Sequence, residues 1–127
     1  MTGVFHDFPD AELVVIACLK AGGLTASTSL DPSPTWPVVT VTRIGGTTNE
    51  FRAADRARIQ LDGWGATKSS ARAVTAKALT LLWALPGTSA LAEVLSVSPD
   101  LGMAWLPDTT VPITRPRYIA GVVITLR

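Results

Sequence analysis

A chain of 127 residues reads as one domain, able to bury roughly two thirds of its unfolded surface, so its core needs no disulfide or metal staple. With 47% hydrophobic and 17% charged residues, it is greasier than a typical small monomer, which points to apolar surface covered by a partner. A formal net charge of +1, with no zinc-finger or homeodomain spacing, argues against a DNA reader.

The N-terminal stretch MTGVFHDFPDAE has no basic region ahead of its apolar run, and Leu13 to Leu19 is too short to span a bilayer. The expectation is a soluble, non-secreted protein with no membrane contact. Pro9 suits a first helical turn, Asp10 and Glu12 favour its positive end, and Gly22-Gly23 suits its exit. These signals predict a first helix over about 9–21. Its apolar residues Leu13, Val14, Ile16, Ala17, Cys18 and Leu19 leave almost no wet face, so it is deeply packed or partly at an interface. Cys18 is the sole cysteine, which excludes an intramolecular disulfide, and reads as a small buried hydrophobe.

Residues 25–30 are β-prone but short, and DPSPTWP then sets Pro32, Pro34 and Pro37 around Trp36, which dictates a loop. The β-branched run Val38 to Ile44 predicts a strand, and Gly45-Gly46 begins a polar connection. A second strand follows over about 56–63, making a hairpin whose long tip carries Phe51 and Arg52. In ARIQLDGWG, Ala57, Ile59 and Leu61 share one face, while Arg58, Gln60 and Asp62 share the other with Trp64. A large aromatic on a polar strand face can pack down onto its own fold or outward onto a neighbour.

From Thr67 the apolar period becomes helical through Ala71, Val74, Ala78, Leu81, Leu82 and Leu85, and Pro86-Gly87 ends a second helix over about 67–85. Trp83, on that helix, is expected in the core. Three β-prone runs remain at 93–97, 103–106 and 117–126. The last is apolar on both faces and predicts a central strand covered on both sides. The fold class expected is α+β: a mixed, largely antiparallel β-sheet flanked by the two helices.

Reactive chemistry is thinly supplied. His6, the only histidine, lies between Phe5 and Phe8 near the terminus and reads as a cap or packing residue. No second histidine or cysteine completes a metal site, no Gly-x-Ser-x-Gly elbow is present, and no cofactor is expected. GWGATKSSA comes near a phosphate-binding loop, but Gly63 is one position too close to Lys68 and Thr67 stands where that loop needs glycine. A helix cap at Thr67 or Ser69 explains the same letters.

Charge is unevenly laid out. Residues 1–42 hold Asp7, Asp10, Glu12 and Asp31 against Lys20, whereas residues 43–77 hold seven bases against three acids. Solvated faces explain this simply; complementary sides of neighbouring subunits are the sharper reading.

Several segments together resemble the tail terminator proteins of long-tailed bacteriophages, especially those infecting actinobacteria. They are FPDAELVVIACL, VTRIGG leading into DRARIQLDGWG, the Ala-rich second helix, WLPD at 105–108 and RPRYIAGVVITLR at the end. Their order and the total length agree across nearly the whole chain. The sequence departs from the pattern at Gly63, where a larger strand residue is expected, and in the proline-rich loop 31–37.

The resemblance implies a non-enzymatic virion protein, present in host cytoplasm during assembly. It implies a homo-oligomeric ring, usually a hexamer, that sits on the head-proximal end of the tail tube and stops its polymerisation. The ring also presents the head–tail joining surface, so the implied partners are the major tail tube protein and the connector, with DNA passing unread through the lumen. Such a ring needs two different, complementary patches per subunit. The candidate interface residues are Trp36, Phe51, Arg52, Arg56, Arg58 and Trp64, since aromatics and arginines concentrate at interface centres. Two other readings stand beside it: a head-completion protein at the same joint, and a small ligand-binding protein or hydrolase.

Overall fold

The computed structural model describes residues 9–48, 54–88, 92–110 and 114–127. Among these residues, two helices, α1 (Ala11–Ala21) and α2 (Lys68–Trp83), pack on a six-stranded sheet. The strands are β1 (Ala26–Ser27), β2 (Val38–Thr48), β3 (Asp55–Trp64), β4 (Gly87–Thr88), β5 (Glu93–Trp105) and β6 (Arg117–Leu126), in the spatial order β1-β2-β3-β6-β5-β4. Only β1 and β2 pair in parallel; every other pair is antiparallel. The α+β class expected from the sequence is the class observed.

Local chemistry sets the ends of both helices. Asp10 caps α1, its carboxylate accepting from the N–H groups of Glu12 and Leu13, so Pro9 stands just outside the helix. Thr67 caps α2 in a reciprocal box: its hydroxyl accepts from the Ser70 N–H while the Ser70 hydroxyl accepts from the Thr67 N–H.

The helices lie together on one face of the sheet. Val14, Val15 and Leu19 of α1 and Val74, Ala78 and Leu82 of α2 share one core with Val39 and Val41 of β2, Ala57, Ile59 and Leu61 of β3, and Val122, Ile124 and Leu126 of β6. These strand residues alternate, as a half-covered sheet requires. The Cys18 thiol sits between the helices, donating to the Leu81 carbonyl at 3.6 Å, and burial pushes its pKa up.

Several expectations change. The strand β6 is central, but helices cover only one side, and no helix or strand among the described residues covers the face bearing Ile119 and Val123. Trp83 is 43% exposed rather than in the core, as is Leu13 at 53%. The reason is that α2 seats itself through Ala71, Val74, Ala78 and Leu82, and Trp83 falls a quarter turn off that stripe. Gly45-Gly46 does not end the strand: β2 continues to Thr48 past a bulge at Ile44. Gly46 has φ 121°, and a Cβ there would overlap the Arg56 carbonyl oxygen, so only glycine carries the strand through. The runs at 93–97 and 103–106 are one strand, β5, with register irregularities at Leu95, Asp100 and Gly102-Met103. Pro99 is tolerated in this strand because β4 pairs only Glu93 and Val94, leaving the rest of β5 at the sheet's edge. The hairpin tip with Phe51 and Arg52 lies outside the described residues.

Candidate functional site

The uncovered face of the sheet carries the even-numbered side chains of β3, namely Arg56, Arg58, Gln60, Asp62 and Trp64, because the odd-numbered ones fill the core. Trp64 ends the row and is 5% exposed. Its indole N–H donates to the Thr40 hydroxyl at 3.0 Å, across the β2–β3 ladder. Trp36, from the proline-rich loop, stacks over it with ring centroids 6.5 Å apart and planes at 24°. The Arg117 guanidinium lies over the same ring at 5.1 Å and reaches the Asp62 carboxylate at 3.6 Å.

The question raised by a tryptophan on a polar strand face is therefore answered within one chain. Trp64 packs under its own loop, and what meets solvent is the half-buried Trp36. The prolines of 31–37 fold a loop back over the otherwise open face at this end. Gly63 has a matching reason on the helix side: a Cβ there would overlap the Thr75 hydroxyl of α2, so the larger residue expected at this position does not fit.

Of the other candidates, Arg56 and Arg58 are exposed on the open face. Arg58 pairs with Asp100 of β5 at 3.1 Å. Phe51 and Arg52 fall outside the described residues. The structure thus brings Trp36 and Trp64 together and leaves Arg56 and Arg58 further along the same face.

The uneven charge of the sequence is partly spent inside the chain. Arg43 grips Asp55 with two hydrogen bonds of 2.7 and 2.8 Å, which hold the guanidinium pKa above its ordinary value, and its backbone N–H donates to Glu12. The outer side of α2, by contrast, exposes Lys68, Arg72 and Lys77, and no acid occurs between Asp62 and Glu93.

The near-miss phosphate loop spends several of its N–H groups within the chain. The Gly65 N–H donates to the Pro116 carbonyl, that of Thr67 to Ser70, and that of Ala71 to the Thr67 carbonyl. The Lys68 ammonium lies 5.0 Å above the Trp105 ring, which in turn meets Tyr118 at 5.4 Å. This turn is a capped strand-to-helix junction, with the N–H groups of Gly65, Thr67, Ser70 and Ala71 already paired.

Sequence reasoning missed Thr40, Arg117, Trp105 and Asp100, all of which come to this face or end through β-pairing. Register is the signal that finds them, since Trp64 faces Arg117 and Tyr118 faces Trp105. Among the described residues there is no group of three or more histidine, cysteine or acidic side chains placed to hold a metal, and no helix is long and apolar enough to cross a membrane. No protein-family model matches the chain, and no curated protein matches it.

Proposed function

We propose that this chain is a virion structural protein that assembles head-to-tail into a ring capping the head-proximal end of a phage tail tube. In that position it stops tube polymerisation and offers the surface on which the head connector docks. The role needs no catalytic group or cofactor. It places the protein in the virion tail, and in host cytoplasm during assembly.

The observation that carries the reading is the one-sided sheet. Helices occupy one face, and the other presents the exposed Arg56 and Arg58 beside the half-buried Gln60, Ile119 and Val123, with charge suited to a water-filled lumen. Exposed large apolar side chains fall on separate elements: Leu13 and Trp83 on the helix layer, and Ile44, Leu95, Leu101 and Leu106 on the strands and their connections. A closed ring buries two unlike surfaces per subunit, and apolar exposure on both layers supports that need. The segments resembling tail terminators add the specific place in the tail.

Electron microscopy of the purified protein mixed with tail tubes tests the proposal. The expected result is a ring on one end of each tube, which then fails to elongate. Tubes with bare ends under assembly conditions remove it, and binding to portal complexes but not to tubes replaces it with the head-completion reading.

A further inference from the structure

The two long edge strands each leave one stretch without a neighbouring strand, although within that of β2 the Glu12 carboxylate accepts from the Arg43 N–H and the Gly45 carbonyl accepts from the Arg43 side chain. The strand β1 covers only Val39 and Thr40 of β2, and β4 covers only Glu93 and Val94 of β5. Tracing the pairing across the sheet puts Thr42, Gln60, Gly121 and Leu101 in one row, and Thr47, Arg56, Thr125 and Ser96 in another. The open stretches 42–47 and 96–101 therefore span the same rows on opposite sides of the sheet. They also run antiparallel to each other, because three antiparallel steps separate β2 from β5.

We infer that the free edge of β5 pairs with the free edge of β2 in a second copy of this chain, making one sheet continuous from subunit to subunit with every helix pair on the same side. A copy set beside the first without a shift along the strands places Ser96 to Leu101 against Thr42 to Thr47 in the antiparallel sense, the more stable ladder per residue.

Three observations favour this occupant. Leu101 is 45% and Ile44 47% exposed, and they flank the facing edges about one row apart, so pairing covers both. Gly102 and Met103 stand unpaired between Leu101 and Ala104, which lets β5 leave the ladder at the level where β1 of the second copy begins. A two-fold β5–β5 contact would leave the β2 edge, with Ile44, uncovered, whereas the head-to-tail contact satisfies both edges. Pro99 removes one donor from β5 and Glu12 already holds that of Arg43 in β2, so the ladder is short and the Ile44–Leu101 contact carries much of its specificity. Bulges and proline of this kind also limit edge pairing with unrelated strands.

The inference rests on the ring reading, but its test is separate. In a Cys18→Ala background, Leu101→Cys is combined in turn with Thr42→Cys, Ile44→Cys and Thr47→Cys, and each protein is oxidised at its highest soluble concentration, with and without tail tubes. All four positions are exposed or on a free edge, and circular dichroism checks that each variant folds. The expected result is a ladder of covalent multimers from Thr42→Cys or Ile44→Cys with Leu101→Cys, at least tenfold above either single variant, and only dimers when the two singles are mixed. No excess over the singles in any combination overturns the inference, as does efficient cross-linking of the Leu101→Cys single, which would report a two-fold contact. Tube-end rings without these cross-links remove the edge pairing and keep the tail reading; cross-linked rings that ignore tubes do the reverse.

Discussion

The indole N–H of Trp64 donates to the Thr40 hydroxyl at 3.0 Å, in a site where the two residues are 5% and 6% exposed. Each is the other's reason for lying on that face: the hydroxyl finds a partner away from water, and the ring gains a fixed orientation beneath Trp36. Trp64→Ala is expected to lower the unfolding free energy by about 3–5 kcal/mol, as for other buried large-to-small changes. Trp64→Phe keeps most of the stacking but leaves the Thr40 hydroxyl unpaired, at about 1–3 kcal/mol. Urea denaturation of both variants checks the order. If Trp64→Ala unfolds at the wild-type midpoint but no longer assembles, Trp64 acts outward after all.

Gly63 and Thr75 are expected to be coupled. Adding a methyl at Gly63 forces strand β3 away from α2, because the Thr75 hydroxyl is held by its own bond to the Ala71 carbonyl at 2.8 Å. Gly63→Ala should cost about 1–3 kcal/mol. Gly63→Ala with Thr75→Ala should cost less than the sum of the two single changes. A double-mutant cycle by thermal or urea unfolding reads this coupling directly, and additivity would show that the two residues do not touch.

The cap on α2 offers a smaller and cleaner effect. Thr67→Ala removes the acceptor for the Ser70 N–H and is expected to cost about 1 kcal/mol. Thr67→Ser should restore most of it. Because the turn lacks the glycine a phosphate loop needs before its lysine, and the Lys68 ammonium rests over Trp105, Lys68→Ala should leave the heat of mixing with nucleotides unchanged from wild type by titration calorimetry.

Two carboxyls should titrate below their ordinary range. Glu93 is lowered chiefly by its hydrogen bond from Arg127, and Asp108 chiefly by the Thr110 hydroxyl and then its N–H. A folded-state pKa below the unfolded one means that each contributes stability above the unfolded value, which is lost as pH falls through the folded one. Carbon-detected NMR titration should give both midpoints below model-peptide values. Added salt should raise that of Glu93 towards normal, since its ion pair is solvent-exposed. The Asp108 midpoint should move less, because hydrogen bonds rather than charge set it. An ordinary midpoint for Asp108 would show that the Asp108–Thr110 turn does not persist in solution.

Much of the fold is legible in the sequence because local rules set it. Asp10, Thr67 and the apolar stripe of α2 mark the helices, and the alternation at Ala57, Ile59 and Leu61 marks a half-covered strand. Pro99 splits β5 on paper because proline counts against a central strand, and nothing local says that this one lies at an edge. Trp83 reads as core because helical periodicity gives the width of an apolar face only to within a residue.

The sequence by itself determined the α+β class, the two helices, the alternating faces of ARIQLDGWG and the lack of a complete phosphate loop, since caps, periodicity and motif spacing act over a few residues. Only the tertiary structure decided that both helices lie on one face, and that Trp64 faces inward under Trp36 and Arg117. It alone decided that Arg43 and Arg58 are paired to Asp55 and Asp100, and that two free edges share the same rows. Those outcomes depend on which strands become neighbours, and β-pairing joins residues tens of positions apart through backbone groups common to every sequence.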